Sequence, residues 1–361
     1  MTTHHTTGAL QARVLLNAVG GLIGFIPERS LVLVAFDEDG SVNSTMRQDI
    51  VLDAAGAPRP EFLGVVDNLA TLLLEYDAAV VVAIIIDDRY PPDSPQVAEL
   101  VERISGLFDD YGGLAAAYAT STYATGEHWH TVLPGPASRI LAASPAGGVL
   151  ADPTSSPTAL DRAVRRGRPV LRKRAMMGEM LAETRHCTDP SCSTDRLRAH
   201  GKLTREEQGD LLSFAFDALR TLAAGSRTSG VEIPCAALGT WYRALTDLTV
   251  RDALLAVSIT ELRDPAERMW RELTRVLRGS GRASAATMLA HLHYIAGEGA
   301  FAGVALDVAL GADREWSFAV LLDRALRAGV RPSLLWDVVA DSYRTAHDLG
   351  VTMPEPTLKS A

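Results

Sequence analysis

Apolar residues recur along this chain in two rhythms, and the change from one to the other divides it. Leu10, Val14, Leu15, Ala18 and Val19 repeat with helical spacing, which predicts a short amphipathic helix over 9–19. Gly20, Gly21 and Gly24 are expected to end it, and Pro27-Glu28 to turn the chain. Residues 31–36 then form an unbroken apolar run of strand length, closed by the tight-turn pair Asp39-Gly40. In the return strand, a period of two puts Thr45, Arg47, Asp49 and Val51 on one face. Helical spacing returns over 62–74. Residues 78–86 follow, rich in β-branched side chains without polar alternation, as in a parallel strand covered on both faces. Ser94-Pro95 resembles a helix start, and that helix is expected to reach Phe108. Residues 114–121 read as a further strand, and 127–133 as an edge strand carrying His128 and His130.

Beyond this point the strand rhythm fades. Residues 134–157 are rich in Pro, Gly, Ser and Ala and read as a linker. Short helices are expected over 156–164 and 171–183. Thr204-x-x-Glu207 forms a capping box opening a helix to Ala224, and Asp264-Pro265 opens another to Leu277. Helical stretches follow over 282–296, 300–310 and 315–328, with a last helix opening at Arg331-Pro332. The fold expected is α/β (α+β): an N-terminal mixed β-sheet with flanking helices, followed by an α-helical C-terminal domain. Its parts are a sheet domain over 1–145, a linker and basic connecting segment over 146–200, and a helical domain over 201–361.

Composition narrows the function classes. Of 361 residues, 47% are hydrophobic and 22% charged, enough apolar material for sizeable cores. The longest apolar run, 78–86, is too short to span a bilayer, and the opening MTTHHTTG lacks the features of a signal peptide. With only three cysteines, a reducing cytoplasm is expected rather than a disulfide scaffold. The net charge of -9 is uneven: residues 1–150 carry 7 Lys/Arg against 18 Asp/Glu. That acidic half disfavours broad nucleic-acid binding, which needs concentrated positive charge. Only 3 of the 35 basic residues are Lys, which with abundant Ala and Gly indicates a high-GC bacterial genome.

Four patches carry a resemblance. They are Leu22-x-Gly24-Phe25-x-Pro27-x-x-Ser30 before the first strand, Met46-Arg47-Gln48-Asp49-Ile50, Gly167-Arg168-Pro169-Val170-Leu171 with Arg174, and the helical stretch from His291 to Pro332. In this order they resemble the actinobacterial domain-of-unknown-function family numbered 4192. The resemblance implies a fold and a taxonomic home but no activity. Near residue 129, where members often carry an aromatic pair plus Ser and then a cysteine-rich loop, this chain reads Glu127-His128-Trp129-His130-Thr131 with no cysteines. Residues 297–313 also resemble a tetratricopeptide half-repeat. Gly297 ends one helix, Ala302, Ala309 and Leu310 stand at packing positions, and Asp313 precedes the next.

No phosphate loop, nucleophile elbow or H-E-x-x-H is present, and no catalytic residue, cofactor or metal is assigned. Glu28, Arg47, Asp49 and Asp87 form the candidate ligand-binding group. Arg47 and Asp49 share a strand face, and Asp87 closes the most buried strand, where ligands gather in open α/β sheets. Asp87, Asp88 and Asp37 could alternatively hold a hard cation. His128 and His130 are a workable ligand pair lacking further donors nearby. Cys187-x4-Cys192 lacks the spacing of a redox or zinc knuckle and reads as a loop. Arg162, Arg165, Arg166, Arg168, Arg172, Lys173 and Arg174, against the single acid Asp161, form the candidate docking segment for a partner or for the chain's own acidic half. The leading expectation is a cytoplasmic, non-catalytic interaction or regulatory module with an unknown protein partner. A homo-oligomer is left open and no membrane is expected. The alternatives are an enzyme or a binder of a phosphorylated metabolite or nucleotide at the N-terminal sheet, and nucleic-acid binding through the segment 162–174.

Overall fold

The computed structural model describes residues 9–357, apart from 190, 191, 193, 195, 196, 198–200 and 227–229. Two compact units divide the chain, Met1–Met176 and Met177–Ala361. The first is built on a six-stranded mixed sheet: β1 (Ser30–Phe36), β2 (Val42–Asp49), β3 (Val80–Ile86), β4 (Ala116–Thr120), β5 (His128–Leu133) and β6 (Gly147–Val149), in the order β2-β1-β3-β4-β5-β6. β1 is antiparallel to both of its neighbours, and all seven of its residues are buried. Within this sheet β3 and β4 form a parallel pair, joined through α3 (Pro95–Gly106). Leu31, Leu33, Ala35, Ala83, Ile85, Ala117 and Ala119 pack with residues of α2 (Pro60–Glu75) and α3 on one face. Val32, Val34, Ile84 and Ile86, of the opposite parity, are buried too. This double burial is why β1 and β3 read as continuous apolar runs.

The stretch 134–157 differs from the expected linker. It belongs to the first unit, supplies β6, and ends at Ser156, the N-cap of α4 (Pro157–Arg166). Its glycines answer to packing: a Cβ on Gly147 would lie 2.5 Å from the Trp129 carbonyl, and one on Gly148 2.8 Å from the Trp129 ring. β6 therefore takes the sheet edge expected of 127–133. The first helix, α1 (Ala12–Ile23), likewise runs through Gly20 and Gly21 and stops only at Gly24, whose φ of +88° provides a left-handed cap. Gly21 lies so close to α4 that an added Cβ would sit 2.3 Å from Thr158 Oγ1.

The second unit is helical in its described residues. α5 (Ala175–Glu179) spans the border, and α6 (Arg205–Ala224) opens on the capping box of Thr204 and Glu207. α7 (Leu238–Thr246) and α8 (Leu248–Leu254) occupy a region to which the apolar pattern assigns no element. α9 (Arg263–Val276) begins just before the expected Asp264-Pro265 start. Then come α10 (Gly279–Ile295), α11 (Gly299–Ala312), α12 (Ser317–Arg327) and α13 (Leu335–Asp348). α10 is the axis: residues 281–295 are all buried, and α7, α9, α11 and α12 pack on it. Gly281 lets Tyr242 approach, since a Cβ there would meet the ring at 2.5 Å. Buried polar groups on α10 are tethered. Ser284 donates to the Leu245 carbonyl at 2.5 Å, Arg282 to the Leu181 carbonyl at 3.0 Å, and His293 Nδ1 lies 2.7 Å from Glu298 Oε2. His291 differs: its Nε2 has no hydrogen-bond partner among the described residues, and burial pushes its pKa down to about 4.

By urea unfolding, Gly21→Ala should destabilise the chain by roughly 1–3 kcal/mol through overpacking against α4. Gly64→Ala, in α2 where an added Cβ meets nothing within 4 Å, should stabilise by about 0.5–1 kcal/mol. The folded pKa of His291 lies below its unfolded value near 6.5, so the unfolded chain binds the extra proton between these limits. Its contribution is fully present above pH 6.5 and falls away as the pH drops towards 4. His291→Gln should flatten stability against pH across that window by on the order of 3 kcal/mol.

Candidate functional site

The first candidate group lies where β1, β2 and β3 end. Register pairs Val32 with Arg47 and Ser30 with both Asp49 and Ile86, so Arg47 and Asp49 share the face of Ser30 and Ile86. Asp87 follows the last residue of β3 and makes no contact with Arg47 among the described residues. Arg47 Nε donates to Ser30 Oγ at 2.9 Å, its guanidinium pairs with Asp49 and stacks over the Phe25 ring, and the Glu28 carboxylate lies 3.7 Å from Lys173. Asp87 is nearly fully buried and accepts both branches of Arg89 at 2.6 and 2.8 Å, while Arg89 also donates to the Ile50 carbonyl at 3.1 Å. Asp88 pairs with Arg29 at 2.6 Å, and that guanidinium holds its carboxyl below the usual range. Asp37 accepts from Asn43 Nδ2 at 2.6 Å. The structure therefore brings Arg47 and Asp49 together and separates Asp87 from them. It gives Asp49, Asp87 and Asp88 separate cations and Asp37 the Asn43 amide.

The basic segment is tied into the same unit. Gly167 ends α4 with φ +62°, and Leu171 pairs with Phe25 in a short parallel bridge, its N–H donating to Gly24 at 3.0 Å. Arg162 is buried, Arg168 and Arg174 are engaged in interactions within the fold, and Arg172 and Lys173 are exposed. The side chains of Arg165 and Arg166 lie outside the described ones. His128 and His130 share a face of β5, and among the described residues no third donor converges on them.

A groove of about 460 Å³ runs between α11 and α12, with Leu310, Gly311 and Val320 at its lining. Asp307 and Asp323 line it as well; Asp323 is engaged by Arg327 at 2.8 Å, and Asp307 has its own interaction. Arg314 and Arg324 also line the groove, and among the described residues neither has an ion-pair partner. The groove is shallow and open, unlike the enclosed clefts that bury small ligands.

The densest group of chemically competent side chains lies in the second unit. His186, Cys187, Cys192 and Cys235 place one donor atom each within 4.8 Å of all the others. His186 Nδ1 lies 3.3 Å from Cys192 Sγ and 3.8 Å from Cys235 Sγ, and Cys187 Sγ lies 3.6 Å from Cys235 Sγ. The other ring nitrogen, Nε2, lies 2.7 Å from the Ile233 carbonyl. A carbonyl can only accept, so Nε2 carries the proton and Nδ1 turns a lone pair towards the sulfurs. The Asp189 backbone N–H, with His186 and the other thiols, lowers Cys187 to about 7, whereas burial and its sulfur neighbours push Cys192 up to about 12. All three cysteines are free thiols.

The family model of a domain of unknown function, DUF4192, matches residues 13–333. The chain belongs to the DUF4192 family. Neither a curated protein nor a solved structure matches it. Sequence reasoning missed the cluster in this DUF4192 chain because it compared Cys187 and Cys192 with a two-residue knuckle. The available signal was different: a chain with only three cysteines has a histidine beside one of them.

If the N-terminal acids are structural, they should respond to deletion according to burial. Asp87→Ala, which strips a partly buried guanidinium of its partner, should cost roughly 2 kcal/mol in urea unfolding. Asp49→Ala, at an exposed pair, should change stability by less than about 0.5 kcal/mol.

Proposed function

We propose that this DUF4192 chain is a non-catalytic interaction module that docks an acidic, partly apolar segment of a protein partner between α11 and α12. The observation that carries this reading is the composition of the groove: an apolar lining of Leu310 and Val320 beside two cations, Arg314 and Arg324, that form no ion pair among the described residues, while the acids that share the lining, Asp307 and Asp323, are engaged elsewhere, Asp323 by Arg327. Apolar floors supply contact area, and unbalanced charges select partners of opposite sign. The α10–α11 hairpin, with Gly297 at φ +72° and Ala302, Ala305 and Ala309 buried, supports the tetratricopeptide-like comparison, since such hairpins use helix surfaces to hold peptides.

The engagement of Glu28, Arg47, Asp49 and Asp87 with neighbouring groups supports a structural role for them over ligand binding. Lys173 beside Glu28, and Leu171 bridged to Phe25, support the reading in which the basic segment docks on the chain's own acidic half. No helix among the described residues is long and apolar enough to cross a membrane. Three free thiols fit a cytoplasmic setting, and arginine in place of lysine fits an actinobacterial source.

The test uses a fluorescent peptide alternating Glu with Leu and its Lys/Leu counterpart. The full chain should bind the acidic peptide in preference, and Arg314→Glu with Arg324→Glu should weaken that binding roughly tenfold or more. A control of equal charge change, Arg139→Glu with Lys202→Glu, should leave it unaltered. Equal loss in both variants, or no preference between the peptides, would overturn the reading.

A further inference from the structure

We propose that His186, Cys187, Cys192 and Cys235 bind one zinc ion as a closed, structural site in the second unit. This rests on a different group of residues from the groove and is independent of it. A zinc ion with sulfur at ~2.3 Å and nitrogen at ~2.0–2.1 Å in tetrahedral array sets its donors ~3.8 Å apart for S–S and ~3.6 Å for N–S. The separations here are 3.6 Å for Cys187 to Cys235, 3.3 Å for His186 to Cys192 and 3.8 Å for His186 to Cys235. Four protein donors complete the zinc shell and leave no position for water or substrate, the arrangement of structural rather than catalytic zinc.

The surroundings of the donors agree. The Ile233 carbonyl fixes the His186 tautomer that presents Nδ1 to the centre, the role that backbone carbonyls take behind metal-bound histidines. A Cys–His nucleophile does not explain the group, because three sulfurs rather than one gather at the ring. A disulfide does not explain it either: Cys187 and Cys235 are well beyond the ~2.05 Å of a sulfur–sulfur bond. Three thiolates with one imidazole select a soft or borderline cation over magnesium or calcium. Every cysteine in the chain lies in the cluster. The ion would fasten the loop after α5 to the segment before α7, joining residues 48 positions apart.

Purified full-length protein from zinc-supplemented cells should contain about one zinc per chain by elemental analysis. Cobalt(II) exchanged into the site should give intense tetrahedral visible bands and a near-ultraviolet thiolate charge-transfer band. Cys235 is exposed, so Cys235→Ser removes a donor with little disturbance of packing. It should lose most of the bound metal and the charge-transfer band. His186→Cys, which keeps four donors, should retain the metal and gain charge-transfer intensity. Zinc should also shield the thiols of the wild-type chain from an aromatic disulfide reagent, and a chelator should remove that shielding. Because these wild-type readings need no variant to fold, they decide the matter alone. A folded wild-type chain that holds neither zinc nor cobalt after reconstitution, with thiols equally reactive in either case, would overturn the proposal. So would a Cys187–Cys235 disulfide in freshly purified protein, or a Cys235→Ser variant that retains the thiolate band undiminished.

Discussion

Burial of β1 on both faces and along both edges constrains the rest of the first unit. A strand enclosed in this way cannot carry charge along its length, and its neighbour β3 is buried almost as fully. Polar side chains at this part of the sheet are therefore displaced to the strand ends and to β2, whose residues are half-buried or exposed. Arg29, Arg47, Asp49, Asp87, Asp88 and Arg89 all lie there, where the backbone leaves the sheet. Opposite charges crowded at one rim neutralise each other, and the pairs Arg29–Asp88, Arg47–Asp49 and Arg89–Asp87 are the result. The acids that most resembled a ligand site each have such a partner at this rim. Arg29–Asp88 ties the entry to β1 to the exit of β3, and Arg89 ties that exit to the Ile50 carbonyl just after β2.

The second unit solves the same problem with a helix. α10 is buried all round, so its close approaches come from small residues, with Gly281, Ala283, Ala285 and Ala286 admitting neighbouring helices. A helix wrapped so completely has no polar face, and its serine, threonine and arginine side chains must find carbonyls within the bundle. Ser284, Thr287 and Arg282 do so. His291 does not complete its hydrogen bonding, and it stays neutral instead. The hairpin of α10 and α11 then has one partner deeply buried and the other more exposed, which leaves the α11–α12 surface open to solvent.

Much of this was legible wherever local chemistry decides structure. The unbroken apolar runs fixed β1 and β3, Asp39-Gly40 fixed the hairpin, and Thr204 with Glu207 fixed the start of α6. Long-range packing defeated the same reasoning. Glycine reads as a break in a linear sequence, yet Gly21 continues α1 because α4 comes close. Gly147 and Gly148 form an edge strand because Trp129 fills the space that a Cβ would need. Asp87 takes a partner only two residues away, Arg89, while Arg47 takes Asp49 on its own strand, and neither pairing follows from the shared strand face alone.

The cysteine cluster shows the same limit at its sharpest. A two-residue knuckle is readable because a single turn presents both sulfurs, so spacing alone reports geometry. Here the bend at His186-Cys187, the return at Cys192 and the remote Cys235 supply donors from three places, and no local spacing encodes that convergence. Its location has a physical logic. Between α5 and α6 the described residues form no α-helix, and few large side chains there are buried. A loop with so little apolar surface gains little from the hydrophobic effect to offset the entropy of ordering it. Four metal–ligand bonds act at short range, need no core, and tie such a loop to a distant segment, which is the circumstance in which proteins use structural metals.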